Sequence, residues 1–447
     1  MQKPMIWGVA ISAAQTESAH DTDGKGPSIW DEFCDKRIGK LFGKSKVKNR
    51  EHLKDSSDFY THFKTDIDHI KYIGFKHFRF SISWPRIMPD GLTVNPEGVA
   101  FYHQVIDYCI EQGITPWITL YHWDLPAALE KQGGWTNRNI LQQFEHYALF
   151  CVRTYTKVSH WMILNEPSVF LGAGYLFGIH APGKKGFDTF LKATHHAMLV
   201  IGATYRSIKK EFPQHVVGSS FSFTQIEPHS NKSKDIKAAR IADMLINRFF
   251  FEPLLGLGYP TDGVKRLKAI QQCMLPGDEQ LLPVKLDFIG IQTYTREVFK
   301  HHLFNPFLKI KHVPASERTI DLTAMNWEIH APCIYWTIMK IEAYQLNIPL
   351  IVTENGVAFD DELVLGRIND FKRIHYFQTH INEVLKARKE GANVQGYFAW
   401  SLMDNFEWAE GYQPRFGLVH VDFKTKKRTL KESAYWFRKH LTTSLYH

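Results

Sequence analysis

Few features of this 447-residue chain are extreme, and several are missing. No run of about 18 uninterrupted apolar residues occurs, which excludes a membrane-spanning helix. Cysteine is scarce. The five residues Cys34, Cys109, Cys151, Cys273 and Cys333 form no close pair, no CxxC and no zinc-type spacing, so they read as free thiols in a reducing compartment. No linker, low-complexity tract or short-period repeat divides the chain. Charge is nearly balanced, with 54 Lys+Arg against 46 Asp+Glu and a net charge of +8. One locally basic loop (His215, His229, Lys232, Lys234, Lys237) reads as solvated surface rather than a nucleic-acid patch. The start, Met1-Gln2-Lys3-Pro4 and then Ile6-Trp7-Gly8-Val9-Ala10, is too short an apolar run for a signal peptide. The expectation is a cytoplasmic protein.

What the chain does hold is material for a large core. Hydrophobic residues make up 44% and aromatics 14%, which excludes disorder as the dominant state. Eight short apolar runs read as strands: 6–11, 77–82, 115–120, 160–164, 216–221, 288–292, 350–353 and 394–400. Amphipathic stretches lie between them, at 60–73, 100–112, 140–155, 189–211, 334–345 and 370–390. In the first, Phe63, Ile67, Ile70 and Ile73 recur at helical spacing. The alternation predicts an α/β chain with a parallel sheet and crossover helices. A single (β/α)8 TIM barrel over 1–447 fits the count of eight; an open doubly wound sheet remains the alternative. Polar and aromatic residues gather just after the runs: Tyr121 to Asp124, Asn165-Glu166, Tyr294 and Glu354-Asn355. Strand C-termini share one mouth in a barrel, and chemistry sits there.

Two glutamates stand out, each closing an apolar run. Glu166 ends Trp161-Met162-Ile163-Leu164-Asn165-Glu166-Pro167, and Glu354 ends Leu350-Ile351-Val352-Thr353-Glu354-Asn355-Gly356. Either alone could be a rim residue or an ion-pair partner. Together across one cavity they suit glycosidic cleavage, in which one carboxyl protonates the leaving oxygen and the other meets the charge at the anomeric carbon.

The motifs go further. Trp-x-x-x-Asn-Glu-Pro followed downstream by Thr-Glu-Asn-Gly resembles glycoside hydrolase family one, the β-glucosidase family. So do Asp23 to Asp31, Phe78 to Ile87, His122-Trp123-Asp124-Leu125-Pro126, Gly174-Tyr175, Ala181-Pro182-Gly183, Trp400 to Trp408 and Arg415-Phe416-Gly417-Leu418. The resemblance covers essentially the whole chain. It implies a retaining β-glycosidase acting on terminal β-D-glucosyl residues through a covalent intermediate, without metal or organic cofactor. Glu166 is then the acid/base and Glu354 the nucleophile, with Arg79 and Tyr294 beside Glu354 and Asn165 facing the sugar 2-hydroxyl. Gln15, His122, Trp123, Trp400, Glu407, Trp408 and Phe416 become the sugar cradle, and Trp327 the aglycone-side aromatic. Glu407, read as an anion near O4 and O6, would repel a 6-phosphate. The partner is a small β-glycoside.

Three positions depart from the family pattern. Ser18 follows Gln15-Thr16-Glu17 where glycine is usual. Gln292-Thr293-Tyr294 replaces Asn-Tyr-Tyr, which bears on the surroundings of Glu354. Ile329-His330-Ala331-Pro332 replaces Ile-Tyr-Pro near the aglycone mouth. Both glutamates are present, against a thioglucosidase or a receptor-like binding protein; a transglycosylase differs only in its acceptor.

Overall fold

A computed structural model describes residues 4–35, 37–38, 44–305, 308–318 and 320–443. Met1, Gln2 and Lys3, on which the expectation about a leader partly rests, lie outside them. Eight parallel strands close into a barrel: β1 (Ile6–Ala10), β2 (His77–Ser81), β3 (Thr115–Tyr121), β4 (His160–Asn165), β5 (Val216–Ser222), β6 (Phe288–Gln292), β7 (Leu350–Asn355) and β8 (Val394–Trp400). Each pairs with its neighbour in sequence. β1 closes the ring by pairing with β2 on one side and β8 on the other, Ile6 opposite Gly396 and Ala10 opposite Trp400. The barrel is therefore the fold, and the open sheet is not.

The main helices follow the strands: α1 (Phe59–Ile73), α2 (Pro96–Glu111), α3 (Ile140–Thr154), α4 (Phe187–Glu211), α5 (Ser233–Asp243), α6 (Pro332–Glu342), α7 (Phe371–Lys389) and α8 (Glu432–Thr442). Their apolar stripes pack on the outside of the barrel. In α1, Phe63, Ile67, Ile70 and Ile73 are all buried, as the spacing predicts. α1 stops at Gly74, whose φ of 102° suits a glycine cap. Among the described residues, no helix is long and apolar enough to cross a membrane.

The barrel interior has its own core. Ala10, Trp117, Met162, Phe288, Ile351 and Phe398 fill it below the mouth. Trp117 stacks on His160 at 4.2 Å, and its indole donates to His77 Nδ1 at 3.1 Å. Such a packed plug makes the barrel solid and leaves only its upper end for a ligand. A small sheet, ordered 310–313, 296–301 and 225–228, flanks that end.

Ser18 has a φ of +58°, in the left-handed region that glycine enters freely. That explains the family's preference at this position. Serine adopts the same backbone here, and its Oγ accepts the Asp58 N–H at 3.2 Å, beside the start of α1.

Candidate active site

Arg79 on β2 organises the floor of the mouth. It is fully buried, and its guanidinium is spent on four acceptors. Nε donates to Thr119 Oγ1 at 3.1 Å. Nη1 donates to the Thr353 carbonyl at 3.2 Å and to Glu354 Oε1 at 2.5 Å. Nη2 donates to Asn165 Oδ1 at 2.5 Å. Guanidinium has donors only, so the Asn165 atom facing it must be oxygen. The rest follows in sequence. Gln292 reaches the same oxygen at 2.6 Å and must do so through Nε2. Asn165 Nδ2 donates to His122 Nε2 at 3.0 Å, so the ring proton of His122 sits on Nδ1. Burial, and secondarily Arg79, hold that imidazole well below its ordinary pKa, so it is neutral.

The two glutamates sit in different surroundings. Glu354 lies within β7, its Oε2 accepting the Tyr294 hydroxyl at 2.6 Å. Burial outweighs the opposing pull of Arg79, Tyr294 and Gln292 and leaves its pKa raised. Glu166 caps the short helix Pro167–Leu171, at a φ of +45°. Burial drives its pKa well above the usual carboxylate range and the Glu354 charge adds to the rise; Ser222 opposes it. One carboxyl is thus equipped with donors and the other is kept protonated. Both are raised, Glu166 the more strongly, and unequal surroundings of this kind suit a division between an acid and an anion.

Above the pair lies a cavity of about 310 Å³. Its walls include Gln15, His122, Trp123, Glu166, Tyr294, Trp327, Glu354, Trp400, Glu407, Trp408 and Phe416. All the residues anticipated as the cradle are therefore together. Arg79 and Asn165 are not in the wall; they lie beneath it. Trp123 and Trp408 pack with ring centroids 4.6 Å apart, and Tyr294, Trp327 and Phe416 cluster at the other side. Trp123 and Trp408 have φ of +78° and +50°. With Glu166, three site residues occupy backbone conformations that cost about 1–3 kcal/mol each, and such strain collects where function fixes a side chain.

Gln15 is aimed by Ser12, whose Oγ donates to Gln15 Oε1 at 2.7 Å. Its Nε2 faces Asn405 Oδ1 at 3.1 Å, the Phe406 carbonyl at 3.0 Å and Glu407 Oε2 at 3.4 Å. Glu407 itself has its pKa pushed up to about 8, by burial first and the Glu354 charge second. Near neutral pH this carboxyl is therefore held largely in its protonated form. The expectation of a standing anion at this position is corrected accordingly.

Gly356, after Glu354 and Asn355, has a direct steric cause. A Cβ built there would lie 1.7 Å from the Trp400 carbonyl oxygen, so only glycine lets β7 and β8 meet at the rim. Below the two following loops runs a buried ion network. Lys431 Nζ bridges Asp361 Oδ2 at 2.5 Å and Asp404 Oδ1 at 2.7 Å, with Arg373 and Arg415 on the same carboxylates. It ties the segment after Glu354 to the one carrying Trp400 and Glu407. Removing one member of such a buried pair costs about 3–5 kcal/mol.

The wall also contains residues with no sequence signal: Val169, His180, Phe223, Thr224, Thr295, Glu297, Met325, Ala409 and Glu410. Ser222 had one, since it ends β5 as Asn165 ends β4. Among the described residues, no group of three or more His, Cys, Asp and Glu side chains is arranged to hold a metal ion.

A closed parallel barrel, with two buried carboxyl groups in unequal surroundings beneath an amide- and tryptophan-lined cavity, defines a sugar-cleaving hydrolase of the barrel class. Residues 1–444 match the family model for glycosyl hydrolase family 1. Beta-glucosidase A of Thermotoga maritima is 38% identical over 436 residues, covering 97% of this chain and 95% of that protein. Beta-glucosidase A of Acetivibrio thermocellus is 36% identical, covering 98% and 97%. The solved structure of the Thermotoga maritima beta-glucosidase in complex with deoxynojirimycin superposes with a TM-score of 0.92 at 36% identity, covering 99% of this chain and 98% of that one. The chain belongs to glycosyl hydrolase family 1.

Proposed function

We propose that this protein is a retaining β-glucosidase that removes terminal non-reducing β-D-glucosyl residues from small glycosides. The observation that carries the mechanism is the unequal treatment of the two carboxyl groups: two hydrogen-bond donors, Arg79 and Tyr294, on Glu354 and burial beside a second carboxylate for Glu166. Glu354 attacks the anomeric carbon while Glu166 gives its proton to the departing oxygen, and the glycosidic C–O bond breaks. The product is an α-linked glycosyl ester on Glu354 and a free aglycone alcohol. That ester is neutral, so the repulsion that raised the Glu166 pKa is relieved. Glu166 then takes a proton from water as the water oxygen attacks the anomeric carbon. The ester C–O bond breaks, and the sugar leaves with its original β configuration. Asn165 faces the 2-hydroxyl, Trp400 forms the platform for the apolar face of the ring, and Gln15, His122 and Glu407 take the outer hydroxyls. Trp327 and Phe416 stand toward the aglycone.

A neutral sugar is favoured over a 6-phosphorylated one on new grounds. Among the described residues lining the cavity there is no lysine or arginine, so a phosphate would be desolvated without a cation. Galactosides and fucosides are secondary candidates, and transfer to an acceptor other than water needs only a different second substrate. We read 1–447 as one catalytic domain, since strands from Ile6 to Trp400 close on one another. The five unpaired cysteines support a reducing, cytoplasmic setting.

The test is a panel of nitrophenyl β-glycosides, with and without 6-phosphate, plus NMR of the first-formed product. A higher kcat/KM for the plain glucoside and initial release of β-glucose are expected. Preference for the phosphosugar would overturn the substrate class, and initial release of α-glucose would overturn retention.

A further inference from the structure

Gln292 is the departure from the family pattern that lies closest to the chemistry. It ends β6, fully buried, opposite Ser222 of β5 and Glu354 of β7 in the strand register. Its Nε2 donates to Asn165 Oδ1 at 2.6 Å, and the same side chain helps to lower the Glu354 pKa against the effect of burial. Its Oε1 is buried and accepts no hydrogen bond among the described residues. A buried acceptor without a partner is costly. The donor end of the same amide is committed to Asn165.

Arg79 alone decides which way the Asn165 amide faces, but one bond does not fix its angle. The last torsion of asparagine is broad. Arg79 arrives from β2 and Gln292 from β6, and the two donors converge on one oxygen. That leaves Asn165 with one Nδ2 hydrogen on His122 and the other directed away from all three partners. We propose that Gln292 is a positioning residue: donating to Asn165 Oδ1 from its place opposite Glu354 in the strand register, it fixes the Asn165 amide, and so sets how strongly the rate depends on the substrate's 2-hydroxyl. This rests on the glucosidase reading above. It adds a role for a side chain one methylene longer than the asparagine usual at this position, acting through Asn165 and not on the sugar.

The experiment compares kcat/KM for 4-nitrophenyl β-D-glucoside and its 2-deoxy analogue in the unaltered protein, Gln292→Leu and Gln292→Asn. Gln292→Leu removes both donors at similar volume. It should cost about tenfold or more on the glucoside but about threefold or less on the 2-deoxy substrate, so the ratio between them collapses. Gln292→Asn keeps an amide at shorter reach and should restore much of the ratio, remaining within about tenfold of the parent on the glucoside. A general structural fault would lower both substrates in parallel, and a parallel fall, or an unchanged ratio, overturns the proposal. If Gln292→Leu does not fold, the ratio in Gln292→Asn decides: intermediate supports the role, unchanged or parallel overturns it. Failure of the unaltered protein to hydrolyse the glucoside would instead sink the functional reading itself.

Discussion

Replacing Glu407 by glutamine should stabilise the empty protein while weakening its action on sugars. The Glu407 pKa is raised from the ordinary 4.5 to about 8 by burial and by the Glu354 charge. Between those values the folded state holds a proton that the unfolded chain has released. The folded state therefore binds more protons, and its stability falls as pH rises through that window. A displacement of about 3.5 pH units is worth roughly 5 kcal/mol when fully developed, at about 1.4 kcal/mol per unit. Glutamine has the same shape and no such window. The difference between Glu407→Gln and the parent should be near zero at pH 4.5, about 2 kcal/mol at pH 6 and about 5 kcal/mol above pH 8. For a chain of this size that corresponds to roughly 1 °C in Tm per kcal/mol. The assay is thermal unfolding of both proteins from pH 4.5 to 8.5, without sugar. A gap that stays constant over that range, or narrows toward high pH, refutes the reasoning. The same variant should lose kcat/KM on β-glucosides, because the charge that destabilises the empty fold strengthens bonds to sugar hydroxyls.

Three further outcomes are expected. Glu354→Gly should lower turnover by about ten-thousandfold or more, and added azide should restore a reaction giving α-glycosyl azide; near-normal rates would remove Glu354 from the nucleophile role. Glu166→Ala should hit cellobiose and alkyl glucosides far harder than dinitrophenyl glucoside. Because the Glu166 pKa is raised, the parent should stay active through neutral pH and lose activity as Glu166 deprotonates on the alkaline side, and this limb should vanish in the variant. Gly356→Ala must push β7 from the Trp400 carbonyl, costing about 1–3 kcal/mol in unfolding measurements and displacing Glu354 and Trp400 together; a variant with unchanged Tm and activity would contradict the packing.

Much of this architecture is legible in the residues because barrel strands are buried on both faces and appear as apolar runs. All eight fall within two residues of their observed bounds. The largest shortfall is at β7, where Glu354 and Asn355 look like the end of a strand but belong to it: the uppermost layer of a barrel is polar because it is the site. The flanking sheet escapes the same reading. Its strand Gln225–Pro228 pairs with Arg296–His301 across some 70 positions, and neither is strongly apolar. Helices α5 and α8 also go unseen, their stripes being short. In the site, residue types and order point to Glu166, Glu354 and the cradle. What they cannot carry is proton affinity. Glu407 is an acid with a pKa of about 8 only because folding removes it from water beside Glu354. Gln292 likewise looks like a neighbour of Glu354, and only the three-dimensional arrangement reveals its bond to Asn165.

The seam between β1 and β8 has a consequence for how the molecule is made. Ile6 and Val394 are 388 positions apart, yet they belong to adjacent strands of one ring. At about 5–20 residues per second on a ribosome, β1 waits roughly 20–80 s for its second neighbour. During that time it is an open edge, the kind of strand that recruits other chains. Gln15 waits too, since Asn405, the Phe406 carbonyl and Glu407 emerge later still. The candidate pocket is thus among the last things the nascent chain completes, and a ribosome that stalls before β8 leaves a particle with both Glu166 and Glu354 but no closed barrel to aim them.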